Sequence, residues 1–436
     1  MSKNCPASVT NFKINLLAVS IFFVSVFLMR QFSPGAGFYL KAFVSLGSVL
    51  LPILLYDLFV VKVYKNPSAQ LSARNEPDFP RVGIKIIGLF ATYALIAFAY
   101  WVFPEYRGAF YAKYWTLLSI MVPVALLLSF YYFIEVDVRM EKPEDAYWHM
   151  GMLVLGNTKV VSKTVLAEHA RGWIVKAFFF PLMFLYLYGN VENIIWTDFT
   201  KMHSFINVYD YLYTFLFTID VIFAAVGYMM TFRFLDSHIR SVEPTMMGWV
   251  VAIMCYSPFW TSVFYNSYFK YDDNFYWGDM TSGLPLLQWV WGITIILLVI
   301  IYSFATVAMG YRFSNLTYRG LITNGPYRFS KHPAYVSKNI MWWMISVPFF
   351  PSESWDMMIV HCVGLAGVNM IYYWRARTEE NHLSNYPEYV EYANWMNENG
   401  ILRFMGDMFP YLKYSEARCK SYNSVVWWKK LGRKPI

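Results

Sequence analysis

Long apolar runs, separated by shorter polar stretches, dominate this chain of 436 residues. A run of about 20 apolar residues crosses the hydrocarbon core of a bilayer as an α-helix, because lipid offers no partner to an exposed backbone. Ten runs predict spanning helices, the ninth being short enough to be re-entrant or tilted. They lie near residues 13–31, 38–61, 83–103, 111–135, 173–189, 208–232, 246–267, 286–311, 339–352 and 355–374. The pattern predicts an all-α fold, a polytopic integral membrane helical bundle of about ten transmembrane helices.

Two polar stretches are too long to be simple turns. Within the first, residues 158–178 (TKVVSKTVLAEHARGWIVKAF) have amphipathic helical spacing and predict an interfacial helix. The second is the tail after the last run, residues 375–436, which we expect to be cytoplasmic. Lys and Arg set this orientation: with the N-terminus inside, inner segments hold about 30 of them. Both termini are therefore predicted to be cytoplasmic, in a bacterial inner membrane or the endoplasmic reticulum.

Composition supports the membrane prediction and excludes other classes. Only 15% of the residues are charged, whereas 20% are aromatic; soluble domains carry roughly 25% charged residues. The net charge of +8 is spread among the loops rather than forming a basic stripe, so no nucleic-acid partner is expected. The four cysteines show no CxxC spacing, which argues against a zinc site or a disulfide framework. Nucleophile, zinc-protease and phosphate-loop motifs are also missing from the sequence.

A first polar group, GPYRFSKHPAYVSKN, occupies residues 325–339 between two apolar runs. Pro326 and Pro333 interrupt helices, and Gly325 permits a tight turn. The group predicts a structured cytoplasmic loop that leads into a membrane helix, with His332 and Tyr335 at the start of that helix. An ordinary basic, aromatic loop at the membrane interface would contain the same residue types.

A second polar group follows the last run directly and contains Arg375, Arg377, Glu379 and Glu380. Arg375 and Glu379 are i,i+4 neighbours, so a solvated, salt-bridged helix is one interpretation. However, this group ends the helical hairpin that the first group begins. We therefore expect the two groups to meet at the cytoplasmic surface.

A third polar group crowds the inner loop between the sixth and seventh runs. Its members are Arg233, Asp236, His238 and Arg240. Because the acid and the imidazole are two residues apart and no further ligand is evident, no metal site is predicted. Asp220, inside the sixth run, is an intramembrane acid and hence a functional candidate, and Asp57 is similar but nearer the interface.

The first two groups together resemble the C-terminal core of the integral-membrane isoprenylcysteine carboxyl methyltransferases and phospholipid methyltransferases. The family pattern is G-x-Y-x-x-x-R-H-P-x-Y-x-G, a hairpin, then E-E and Y-x-x-Y. This chain has Gly325-Pro326-Tyr327, Lys331-His332-Pro333, Tyr335, Glu379-Glu380, Tyr389 and Tyr392. The resemblance covers roughly residues 312–410, and it departs from the pattern at Lys331 and Ser337, which replace Arg and Gly.

This resemblance implies an S-adenosylmethionine-dependent methyltransferase that acts at the cytoplasmic membrane face on a membrane lipid or lipidated substrate. The residues that it assigns to the cofactor are Gly325, Pro326, Tyr327, Lys331, His332, Tyr335, Glu379 and Glu380. An anionic acceptor would need a nearby cation, for which Arg375 and Arg377 are the first candidates. The third polar group, Arg233, Asp236, His238 and Arg240, supplies the next candidates for substrate contacts.

Two other functions fit parts of the sequence. A sterol-type membrane reductase has a similar C-terminal region but uses NADPH, and a transporter would suit ten spans with Asp57 and Asp220 as coupling sites. Against a transporter, the chain has no repeated half. The predicted organisation is an N-terminal transmembrane region, residues 1–285, with about seven spans and a substrate pocket, followed by a methyltransferase-like core and cytoplasmic tail, residues 286–436.

Overall fold

The computed structural model describes residues 4–72, 75–265, 270–272, 274–351 and 354–419. Its regular structure is almost all helical, which confirms the all-α membrane bundle. The helices, in chain order, are α1 (Phe12–Phe32), α2 (Phe38–Leu55), α3 (Phe79–Val102), α4 (Ala112–Asp137), α5 (Ala146–Val154), α6 (Lys163–Trp196), α7 (Phe205–Met229), α8 (Met246–Ile253), α9 (Trp277–Met280), α10 (Pro285–Met309), α11 (Pro333–Ser346), α12 (Trp355–Leu383), α13 (Pro387–Asn399) and α14 (Arg403–Met408). The two strands are β1 (Ser241–Val242) and β2 (Thr317–Tyr318).

Among the described residues, eight helices are long and apolar enough to cross a membrane, compared with the ten predicted. The eight are α1, α2, α3, α4, α6, α7, α10 and α12. The seventh run does not give a spanning helix, because its helix α8 has only 8 residues, about 12 Å in length. The ninth run does not give one either, because its helix α11 has 14 residues. That is about 21 Å of helix, shorter than a hydrocarbon core of about 30 Å. Apolar content thus extends beyond the helices that are able to span.

The predicted interfacial helix is part of a longer element. Residues 163–178 form the beginning of α6, a helix of 34 residues, which is about 51 Å long. Because this length exceeds the bilayer core, several turns of α6 must lie outside it. Ser162 caps the helix by accepting a hydrogen bond from the backbone N–H of Val165.

The centre of the bundle is α7, which packs between α6 and α10. Its second half is buried on all sides, from Thr218 to Tyr228, as expected for a helix that lipid does not reach. In the α11–α12 hairpin, α11 packs against α10 and α12 packs against α8. Polar contacts hold this hairpin together: Asn369 donates to Asn339 at 2.8 Å, and the Trp343 indole donates to Asn369 at 2.7 Å.

A short antiparallel ribbon connects two of the loops at one end of the bundle. Ser241 pairs with Tyr318 and Val242 with Thr317, so β1 ties the α7–α8 loop to the α10–α11 loop. This ribbon brings the third polar group and the loop before α11 to the same end. That this end faces the cytoplasm rests on the Lys and Arg distribution and stays a prediction, as does the domain boundary at residue 285.

Candidate active site

The loop that leads into α11 is fixed to the bundle by a buried arginine. Arg319 is almost inaccessible, and its guanidinium donates to the backbone carbonyls of Gly227 at 2.8 Å, Met230 at 2.5 Å and Ser237 at 2.7 Å. These carbonyls belong to the C-terminal end of α7 and the turn after it, where helical carbonyls lack backbone partners. Burial lowers the pKa of Arg319 to about 9, so the group stays charged at neutral pH.

The Gly325–Arg328 turn places a tyrosine on the loop's inner side. Gly325 has a φ of +54°, and a Cβ there would lie 2.9 Å from the ring of Phe12, so only glycine fits without strain. Pro326 follows in this single 3₁₀ turn, which carries Tyr327 inward. The hydroxyl of Tyr392 on α13 then donates to the backbone carbonyl of Tyr327 at 2.5 Å. Gly325 and Pro326 therefore shape the turn, and Tyr327 faces inward.

The first and second polar groups meet, as the hairpin predicted. The Tyr335 hydroxyl on α11 donates to Glu379 Oε2 on α12 at 2.8 Å. The His332 ring stacks on the Tyr335 ring, with 5.5 Å between centroids and 7° between planes. Glu379 Oε1 accepts no hydrogen bond from the described residues, so this carboxylate has capacity for a ligand.

Glu380, the neighbour of Glu379, has a different environment. Its carboxylate is buried and forms ion pairs with Lys331 at 2.6 Å and with Arg377 at 2.8 Å, while His332 Nε2 lies 3.3 Å away. Lys331 contacts Glu380 as an ion pair and not as a hydrogen bond. Glu380 therefore holds the loop before α11 against the end of α12.

A cavity of about 170 Å³ lies beneath the loop, between α10, α11, α12 and α13. Six of the predicted site residues line it: Tyr327, Lys331, His332, Tyr335, Arg375 and Glu379. Gly325, Pro326, Arg377 and Glu380 do not line the cavity; they support residues that do. The second tyrosine pair of the motif, Tyr389 and Tyr392 on α13, also lines it.

Arg375 forms one wall of the cavity, and no carboxylate among the described residues pairs with it. Its guanidinium donates to the amide oxygen of Asn315 at 2.5 Å and lies 5.2 Å from the ring of Tyr335. The rings of Tyr256 and Tyr372 are 5.9 and 5.8 Å away. The i,i+4 ion pair with Glu379 does not form among the described residues. The cation is thus available to an anion in the cavity.

The sequence prediction of the site missed several polar cavity residues, among them Lys338, Asn315 and Thr317. Lys338 lies one helical turn after Tyr335, so the i,i+3 relationship would have placed it on the same face. Asn315 belongs to the loop before β2 and carried no signal in the sequence. Thr317, at the start of β2, was likewise unmarked. Asp220, noted only as an intramembrane acid, also lines the cavity.

The third polar group forms a separate cluster behind the loop. Asp236 pairs with Arg240 at 3.1 Å and Arg312 at 3.6 Å, and it accepts hydrogen bonds from Asn66 at 3.0 Å and Ser68 at 2.7 Å. Burial alone would raise the pKa of Asp236, but Arg312 and the hydrogen-bond donors lower it overall. The carboxylate is therefore ionised and already fully engaged within the protein.

Arg233 and His238 complete this cluster. Arg233 donates to the side chain of Gln70 at 3.0 Å and to the carbonyl of Ala69 at 3.2 Å. Burial, together with the charge of Arg233, lowers the pKa of His238 to about 3, so its imidazole is neutral. Neither these two residues nor Asp236 and Arg240 line the cavity. Their role in substrate binding stays a prediction.

The two departures from the family pattern occupy distinct places. Lys331 keeps the positive charge and uses it on Glu380. Ser337 is buried within α11, where its hydroxyl donates to the carbonyl of Pro333 at 2.8 Å, and it does not line the cavity. The serine is therefore accommodated by its own helix.

The groups that line the cavity suit a polar cofactor with both charges. Among the described residues, the buried hydroxyls of Tyr389 and Thr317 have no hydrogen-bond partner, and burial raises the pKa of Tyr389, which keeps it a donor. Glu379 offers an acceptor for hydroxyl or amino groups, and Arg375 offers a cation for a carboxylate. In this conformation the cavity is smaller than the roughly 300–1,000 Å³ of most ligand pockets. A larger ligand would therefore require the loop to adjust when it binds.

One comparison with known proteins identifies this region. No curated protein and no solved structure matches the chain. Residues 290–385 match the model of the isoprenylcysteine carboxyl methyltransferase (ICMT) family. The matched segment contains most of α10, the loop, the α11–α12 hairpin and Glu379–Glu380, which supports a membrane methyltransferase. The C-terminal core of this chain is therefore similar to the isoprenylcysteine carboxyl methyltransferase family, as its motif predicted.

Proposed function

We propose that this protein transfers a methyl group from S-adenosylmethionine to an acceptor embedded in the membrane, with a lipid or lipidated molecule as that acceptor. The observation that carries the proposal is the contact between Tyr335 and Glu379, which joins both halves of the family motif on one cavity. A reductase or a transporter gives no reason for the match to a methyltransferase family model.

The cofactor would be held by groups from the loop, α12 and α13. Glu379 would accept hydrogen bonds from ribose or amino groups, and Tyr389 and Thr317 would donate their unpaired hydroxyls. The faces of Tyr327 and Tyr335 would lie against a sulfonium charge, which aromatic rings attract. When bound, S-adenosylmethionine supplies a methyl carbon that an acceptor atom takes while sulfur keeps the C–S electron pair, leaving S-adenosylhomocysteine.

The protein contributes chiefly by orienting the reactants and excluding water. The aromatic walls around Arg375 keep the inner end of the cavity apolar, where charges interact more strongly than in water. An acceptor that reacts as an oxygen anion needs no proton transfer, whereas an amine must be neutral when it attacks. Two reactants held in a productive orientation gain most of the rate that such a displacement requires.

The test uses the full chain in lipid nanodiscs with methyl-tritiated S-adenosylmethionine and total membrane lipid. We expect label in the organic phase, suppression of the label by S-adenosylhomocysteine, and about tenfold less label or lower with the Glu379→Gln variant at a subsaturating cofactor concentration. NADPH oxidation by the same preparation should not exceed that of empty nanodiscs. Label in a protein fraction would support methyl transfer but would show that the acceptor is a protein and not a free lipid. Absence of both label and S-adenosylhomocysteine binding would overturn the proposal.

A further inference from the structure

Lys338 stands on α11 at the inner end of the cavity, three residues after Tyr335. Its ammonium faces three aromatic rings: Tyr302 at 5.0 Å, Trp342 at 5.2 Å and Tyr372 at 5.9 Å. Rings at these distances attract a cation through their negative faces. They hold the ammonium in place but do not neutralise it.

This lysine has no ion-pair partner in the part of the chain that the structure describes. A charge that is removed from water is unfavourable unless an opposite charge or good hydrogen bonds compensate it. The buried lysines Lys41 and Lys85 are compensated, because they form ion pairs with Glu192 at 3.0 Å and Asp137 at 2.7 Å. Lys338 differs in that it lines a cavity that a ligand can enter.

Asp220 on α7 is the carboxylate that acts on Lys338 across the cavity. Both of its oxygens are already engaged: Tyr302 donates to Oδ2 at 2.6 Å and Thr306 to Oδ1 at 2.5 Å. Asp220 therefore lowers the local positive charge without occupying the ammonium. Arg375 acts on Asp220 from the same cavity, so two cations, Lys338 and Arg375, face this carboxylate. The other acid of the lining, Glu379, is held by Tyr335.

We infer that Lys338 is a specificity-determining residue that binds the acceptor's acid group, a carboxylate or a phosphate, at the inner end of the cavity. This inference rests on the proposed methyl transfer and names the class of its acceptor: an amphiphile with an anionic group at the reacting end. An acid oxygen forms the new C–O bond with its own electron pair as the C–S bond breaks toward sulfur, so no proton has to leave. A cationic or zwitterionic amine headgroup would face two positive charges at this end, which disfavours it.

Part of this recognition comes from outside the segment that matches the family model. Asp220 belongs to α7, whereas the match begins at residue 290. Selection of the acceptor therefore depends on the α7–α10 interface as well as on the hairpin.

The experiment compares wild type with Lys338→Met, which removes the charge, and Lys338→Arg, which keeps it. Lys176→Met is the matched control, because Lys176 is another lysine over an aromatic ring, Trp173 at 3.5 Å, but does not line the cavity. Methyl transfer is measured in vesicles that contain oleic acid, phosphatidic acid or phosphatidylethanolamine, and S-adenosylhomocysteine binding is measured in parallel.

We expect wild type to label an acid amphiphile and not phosphatidylethanolamine. Label in oleic acid identifies a carboxylate acceptor, and label in phosphatidic acid identifies a phosphate. Lys338→Met should raise KM for that acid about tenfold or more, the size of one lost charge-assisted contact, with S-adenosylhomocysteine binding unchanged. Lys338→Arg should retain most of the affinity, and Lys176→Met should behave as wild type.

Two results would overturn the inference while leaving methyl transfer intact: an unchanged KM in Lys338→Met, or preferential labelling of phosphatidylethanolamine by the wild type. The inference would also be overturned if wild type binds S-adenosylhomocysteine but labels no lipid in the acid vesicles. Failure of the cofactor to bind wild type would instead defeat the proposed function and, with it, the inference.

Discussion

The hydroxyl of Tyr335 and the carboxylate of Glu379 are joined by a 2.8 Å hydrogen bond, although 44 residues separate them in the chain. The α11–α12 hairpin returns the chain to the end of the bundle where it began, so its first and last turns face each other. The hydrogen bond therefore fixes the position of the Glu379 carboxylate, whose Oε1 has capacity for a ligand. Cofactor affinity should depend on both residues.

Substitution of Glu379 and Tyr335, singly and together, should show this dependence. We expect Glu379→Gln to weaken S-adenosylhomocysteine binding about tenfold or more, because a hydrogen bond to a charged group contributes about 1.5–3 kcal/mol. Tyr335→Phe should cause a smaller loss, since it removes only the contact that orients the carboxylate. Isothermal titration of the purified variants measures both effects.

The double variant tests whether the two residues act through each other. Coupled residues give non-additive free energies, whereas independent residues give additive ones. Tyr335→Phe should therefore add little when Glu379 is already glutamine. Full additivity of the two losses would show that the tyrosine contacts the cofactor by itself.

The two arginines of α12 should differ in their contribution to turnover. Arg375 lines the cavity, whereas Arg377 pairs with Glu380 away from it. We expect Arg375→Gln to reduce kcat/KM by about 100-fold, within the range for loss of one preorganised electrostatic contact. Arg377→Gln should reduce it less than about tenfold, since Lys331 still compensates Glu380, and it should mainly lower the thermal midpoint.

Initial-rate kinetics with the labelled lipid acceptor, combined with melting curves of the same samples, separates these effects. Arg375→Lys provides the conservative variant and should recover part of the activity, because it keeps the charge but loses the planar fork. Equal losses of kcat/KM in Arg375→Gln and Arg377→Gln would contradict the distinction between a wall residue and a supporting residue.

The meeting of the two polar groups was predictable, because a helical hairpin returns its ends to the same side. The separation of Glu379 from Glu380 follows from helix geometry: consecutive residues point about 100° apart, so one faces the cavity while the other faces the loop. The approach of Asp220 to Lys338 across the cavity was not predictable, since it depends on how α7 packs against α10 and α11. Composition also does not distinguish an engaged acid such as Asp236 from a substrate contact.

Glu243, next to the ribbon, should make stability depend on pH. Burial raises the pKa of its carboxyl to about 7, although Thr245 donates hydrogen bonds to it. Between about pH 4.5 and pH 7 the folded protein therefore holds a proton that the unfolded chain has released. Stability contributed by this group is complete below about pH 4.5 and is lost as the pH rises through 7.

The expected loss is up to about 3 kcal/mol, from about 1.4 kcal/mol for each pKa unit. Thermal midpoints in nanodiscs between pH 5 and pH 8 measure it, with Glu243→Gln as the control that carries no titrating group. The midpoint of the wild type should fall relative to that of Glu243→Gln as the pH rises. A difference that stays constant over this range would show that Glu243 does not titrate there.

Arg319 should be required for stability although it is remote from the chemistry. Besides the three α7 and turn carbonyls, its guanidinium donates to the carbonyl of Phe313 at 2.9 Å. Arg319→Met leaves four buried carbonyls without this donor, and each unsatisfied buried group costs about 1–3 kcal/mol. We expect a loss of at least about 3 kcal/mol, seen as a clearly lower thermal midpoint.

Arg319→Lys should recover only part of it, because an ammonium does not reach all four carbonyls. Arg403→Met, at an exposed arginine whose guanidinium donates to the Glu398 carbonyl at 3.2 Å, is the control and should melt as wild type does. If Arg319→Met melts with the control, the loop before α11 is held by the β1–β2 ribbon and the Tyr392 contact instead.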